Sequence, residues 1–126
     1  MLTGYAVNWN KRPLPVTILA WVYIAVGAAG FVYHLTEFRA RNAFPFDAVL
    51  VELVGLLAIV SGAFMLRGHN WARWLALAWI AFHVIVSAFH TFREFAIHCV
   101  FCAVINWFLF RPRAVRYFRA RRIETE

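Results

Sequence analysis

Residues 14–35 read LPVTILAWVYIAVGAAGFVYHL, twenty-two positions without a formal charge. A hydrocarbon core about 30 Å thick needs roughly 20 helical residues at about 1.5 Å each, so this run alone is long enough to cross it. It follows Lys11-Arg12-Pro13, where proline opens a helix cheaply because the first N–H groups lack partners anyway. An apolar run of this length also exceeds the roughly 7–15 residues of a cleaved leader, and no small-residue cleavage site follows it. The reading is a retained span.

Three similar runs follow. Residues 46–66 carry only Asp47 and Glu52, residues 71–90 hold one arginine near their start, and residues 94–110 are closed by Arg111-Pro112. None alternates as barrel strands do, and only helices or closed barrels satisfy their backbone groups in lipid. The composition agrees. Of 126 residues 63% are hydrophobic and 15% charged, against about 45–50% apolar and about 25% charged in soluble domains. The connections, Thr36 to Pro45, Arg67 to Asn70 and a turn near Thr91 to Arg93, are short and make sequence neighbours antiparallel. The predicted fold is therefore all-α: an integral membrane antiparallel four-helix bundle, one domain over 1–126 with spans near 14–35, 46–66, 71–90 and 94–110 and a basic tail over 111–126.

Arginine predicts the orientation. Ten basic residues (Lys11, Arg12, Arg67, Arg73 and the six tail arginines) fall on the side of the termini, against Arg39, Arg41 and Arg93 on the other. The positive-inside rule places both termini in the cytoplasm. Twelve Arg against one Lys suggests a GC-rich bacterial genome, hence a bacterial inner membrane. A basic tail beside a span is read as binding anionic headgroups rather than nucleic acid. Trp9, Trp71, Trp107 and Tyr117, near the span ends, suit interfacial anchoring.

Helix contacts in lipid run along small residues three, four or seven apart. In the first span Gly27 and Gly30 form such a stripe, leading to His34 and Glu37. Glu52 leads into Gly55, Ala58 and Gly62 in the second. The third repeats Ala72, Ala76, Trp79, His83, Val86 and His90, and the fourth sets Glu94, His98, Cys102 and Ile105 along one side. With antiparallel neighbours the ionisable ends meet at one depth under the outward leaflet, with His83 deeper. Titratable groups inside a bilayer face the bundle interior and mark functional sites by default.

His and carboxylate are ligands of first-row transition metals, and His34, Glu37, Glu52, His90, Glu94 and His98 form the expected metal set, with Glu94 and His98 on one helical face. Alternatively, two of His34, His83, His90 and His98 hold a haem axially. Salt bridges with Arg39, Arg41 and Arg93 are the structural alternative. The expected role is a binding or accessory module, associated with itself or with a larger membrane complex.

Cys99-Val100-Phe101-Cys102 are the only cysteines. A C-x-x-C at the start of a helix favours a thiolate at its first cysteine. Together with Ala103-Val104-Ile105-Asn106, this stretch resembles vitamin K epoxide reductase homologues, four-helix membrane proteins whose last helix carries such a pair and exchanges electrons with a quinone. The resemblance implies that Cys99 and Cys102 are the catalytic pair of a thiol-disulfide oxidoreductase using a quinone. That family's second cysteine pair has no counterpart in Thr36 to Pro45.

Overall fold

The computed structural model describes residues 11–41 and 46–125. Trp9, the loop at 42–45 and the side chains of Arg41 and Asp47 lie outside the described residues. The described chain is all helical: α1 (Leu14–Arg41), α2 (Phe46–Leu66), α3 (Asn70–Ala88), α4 (Phe92–Leu109) and α5 (Pro112–Thr125). By length and composition α1 to α4 can each cross a membrane, and only 11–28% of each apolar window is buried inside the chain. The remaining apolar surface faces outward, as it does in a multi-pass membrane protein.

The turn between the third and fourth helices falls at residues 89–91 rather than 91–93, and two larger differences from the sequence reading follow. The first helix continues to Arg41, since Thr36-Glu37-Phe38-Arg39-Ala40-Arg41 holds neither Gly nor Pro and several good helix formers. The tail is a fifth helix, opened by Pro112 at its first position, with Ala114, Tyr117 and Phe118 buried on one side at helical spacing.

Antiparallel packing is read from the contacts. A Cβ on Gly27 would lie 2.6 Å from the Gly55 carbonyl oxygen and 2.7 Å from Ile59 Cγ1, and one on Gly62 would lie 2.7 Å from Ile24 Cγ1 and closer still to the Ala20 carbonyl oxygen. Glycine lets the α1 and α2 backbones touch. Gly30 has nothing within 4 Å of a Cβ, which removes it from the predicted stripe. Ser61 Oγ donates to the Ala72 carbonyl at 3.0 Å and Trp79 Nε1 to the Val54 carbonyl at 2.8 Å, running α3 antiparallel to α2. Tyr23 Oη crosses from α1 to the Ala76 carbonyl at 2.8 Å. Trp79→Phe removes one of these bonds; we expect a loss of about 0.6–1.7 kcal/mol, read by unfolding in detergent.

The tight core is not central. Val16, Ala20, Met65, Ala72, Ala76, Leu109, Tyr117 and Phe118 are all buried, and all lie in the half of the bundle on which α5 folds back. At that end α2 stops in a Schellman arrangement: the Gly68 N–H donates to Met65 O at 3.1 Å, His69 N–H to Phe64 O at 3.0 Å, and Gly68 has φ +82°. Tyr117 Oη and Arg12 Nη1 both donate to the Leu66 carbonyl. A Cβ on Gly68 would meet Arg121 Cγ at 2.5 Å in addition to the left-handed strain of about 1–2 kcal/mol. Gly68→Ala is therefore expected to loosen α5, seen as faster proteolysis after Arg116 and Arg119 with α1 to α4 intact.

Candidate functional site

The opposite half of the bundle carries the titratable groups singled out in the sequence. Glu94 sits in the first turn of α4, where Thr91 caps the helix by accepting from the Glu94 N–H at 3.2 Å. Thr-x-x-Glu is a capping-box spacing, and a carboxylate there also complements the helix dipole. His90 is exposed in the α3–α4 turn, its Nδ1 on the Val86 carbonyl at 3.0 Å. His34 and Glu37 face each other one turn apart on α1 at 3.6 Å, both half exposed. Both Glu52 carboxylate oxygens are buried without a hydrogen-bond partner among the described residues. These residues share an end of the bundle without converging: no three His, Cys, Asp or Glu side chains among the described residues form a group able to hold a metal ion.

His83 and His98 do meet. Their rings, from α3 and α4, lie 6.0 Å apart between centroids and 25° from parallel. Trp79 fixes the first of them: its indole is anchored to the Val54 carbonyl, packs 3.9 Å from the His83 ring between centroids and stands 5.3 Å from Tyr23. His83 Nδ1 lies 2.9 Å from the Trp79 carbonyl oxygen and His98 Nδ1 lies 2.8 Å from the Glu94 carbonyl oxygen. A carbonyl only accepts, so each Nδ1 carries the hydrogen, and a ring in its neutral form presents its Nε2 lone pair. Ring orientation and tautomer are thus set by the helices themselves.

The two rings border a cavity of about 200 Å³ walled by Tyr23, Val26, Trp79, Ile80, Phe101 and Ile105. It lies where α1 meets the α3–α4 pair, with walls from all three helices. Val22, Val26 and Phe101 are each about half exposed at its mouth, so the cavity opens sideways through the apolar outer surface of the bundle. The sequence singled out both histidines by helical spacing. Tyr23 and the Trp79 indole bond were not foreseen, because they depend on which helices pack diagonally.

This geometry limits what can bind. A dry cavity of about 150 Å³ holds benzene, so 200 Å³ takes one substituted six-membered ring. Ligand pockets for larger molecules run about 300–1,000 Å³, and a haem does not fit this one. Cys99 and Cys102 are free and half-buried. They line a second, open groove with Leu77, Val84, Ala103 and Asn106. No family model, curated protein or solved structure matches the chain.

Proposed function

We propose that the chain is a multi-pass protein of a bacterial inner membrane, both termini cytoplasmic, acting as a binding module for a lipophilic ring compound with a hydroxyl edge, of the quinol headgroup class. The observation that carries this reading is the pair of imidazoles with Nδ1 committed to backbone carbonyls at a ring-sized apolar cavity. Two lone pairs ask for a donor. A quinol brings two hydroxyl protons, whereas the oxidised quinone brings only acceptors. The apolar walls suit the ring face, and the lateral mouth suits a tail lying among lipids. The protein is a membrane-complex subunit or homo-oligomer that presents this ligand.

The test is thermal unfolding of the detergent-purified chain against a short-tail benzoquinol and its oxidised form. A ligand that binds only the folded state raises the midpoint by mass action. We expect saturable stabilisation by the quinol, a weaker effect of the quinone, a reduced shift in His83→Ala and in His98→Ala, and none in the double variant. Equal stabilisation of those variants and of wild type overturns the reading.

One observation favours a second reading. Ring centres 6.0 Å apart are within reach of one shared ion at the about 2.0–2.1 Å zinc–nitrogen bond length, which keeps a transition metal in play at His83 and His98, with its other ligands from outside the chain. Stoichiometric metal in the purified protein, lost in His98→Ala and accompanied by no quinol response, selects it. The thiol-disulfide oxidoreductase suggested by Cys99 and Cys102 needs a thiol beside the quinone ring, and neither cysteine is among the residues lining the cavity beside His83 and His98. Cys99→Ser is accordingly expected to leave quinol binding unchanged within about twofold, measured by the same titration.

A further inference from the structure

The thiol pair of α4 lies outside the cavity beside His83 and His98. Cys99 and Cys102 are both free and half-buried, and both line one open groove with Leu77 and Val84 of α3 and Ala103 and Asn106 of α4. The helix begins at Phe92, so Cys99 stands two turns inside it, away from the helix start on which the sequence reading of C-x-x-C rests.

Residues three apart on an α-helix are neighbours, with Cβ atoms about 5–6 Å apart. A disulfide asks for about 3.5–4.5 Å between those atoms, and the helical turns on both sides of the pair hold them apart. An atom inserted between the sulfurs fits instead. Two metal–sulfur bonds of about 2.3 Å, the length found for zinc thiolates, span about 4.6 Å, which two thiols on one helix face reach by side-chain rotation alone. The number of ligands then selects the ion. Thiolate is a soft ligand that favours copper(I), zinc and iron–sulfur clusters. Zinc and the clusters take four ligands, whereas no third His, Cys, Asp or Glu among the described residues joins the pair. Copper(I), a d10 ion, is stable with two sulfurs in line. A coordinated thiol is deprotonated: two S–H bonds break, two S–metal bonds form, both protons go to solvent and no electron is transferred. A monovalent ion with two thiolates carries one negative charge, for which Asn106, one turn beyond Cys102 in the same groove, has amide N–H donors.

We infer that Cys99 and Cys102 form a two-coordinate binding site for a soft monovalent cation of the copper(I) class, with the Asn106 amide beside it. The inference is independent of the ring compound assigned to the cavity of His83 and His98, since the groove and that cavity share no lining residue. Thiols serving only as small apolar packing would bind the ion no better than separate thiols do.

Anaerobic titration of the reduced, detergent-purified full chain with copper(I), in competition with a coloured chelator, tests this. One ion per chain is expected. Cys99→Ser and Cys102→Ser should each weaken binding by at least about a hundredfold, because a second sulfur on the same helix face acts at high effective concentration. Asn106→Leu should weaken it roughly tenfold at unchanged stoichiometry, and His83→Ala and His98→Ala should stay within about threefold of the native chain. X-ray absorption of the loaded native chain reads the same site without any substitution, and two sulfur neighbours with no nitrogen are expected at the copper. Half an ion per chain would put the two sulfurs on different copies, two ions per chain would make the thiols independent, and nitrogen at the metal or a loss in His98→Ala would move the ion to the imidazoles. Each of these overturns the site, as do serine variants that bind like the native chain or no binding at all.

Discussion

Gly62→Leu and Gly27→Leu are each expected to destroy the packing of α1 on α2, at a cost of about 1–3 kcal/mol or more. A side chain at either site would be driven into a backbone carbonyl as well as into an isoleucine, and backbone has no rotamer to move aside. Gly30→Leu, with open space around it, is expected to be neutral within about 0.5 kcal/mol. Denaturant titration of the detergent-solubilised variants checks this ordering, and an equal response at all three positions would mean that α1 does not lie on α2 through these glycines. The effect should reach the site. Tyr23 is carried by α1, and with that helix displaced the cavity beside His83 loses one wall.

The second large effect is on binding. Each neutral hydrogen bond is worth about 0.5–1.5 kcal/mol, so His83→Ala or His98→Ala should weaken quinol binding by up to about tenfold each, and the double variant should abolish saturation. His90→Ala and His34→Ala, whose rings lie away from the cavity, should change affinity less than about twofold. Titration followed by thermal midpoint or tryptophan quenching reads the series. Equal losses at all four histidines would mean that the effect is general and not seated between α3 and α4.

Much of this architecture was legible in the sequence because lipid allows few solutions. Four apolar runs of spanning length fix four helices, and short connections make sequence neighbours antiparallel. The gathering of His34, Glu52, His83, Glu94 and His98 in one half follows from that topology alone. Which of them touch does not follow. Helical spacing put Glu94 and His98 on one face, yet Glu94 serves the start of α4 while His98 turns to His83, a choice set by the rotation of α4 against α3. The Gly27–Gly30 stripe failed at Gly30 because α2 crosses α1 over Ala20, Gly27 and Phe31 instead. The fifth helix was signalled only by Ala114, Tyr117 and Phe118, a weak apolar pattern among six arginines of the terminal segment.

The account turns on two imidazole Nε2 lone pairs meeting a hydroxylated ring, and nitrogen NMR of the chain with 15N-labelled histidine observes those atoms. In the free protein the account predicts protonated Nδ1 and unprotonated Nε2 for both His83 and His98, identified by loss of each signal in its alanine variant. Addition of a short-tail quinol should shift both Nε2 resonances toward the hydrogen-bonded range and leave those of His34 and His90 in place. Protonated Nε2 in the free protein, or Nε2 signals of His83 and His98 that ignore saturating quinol, would contradict it.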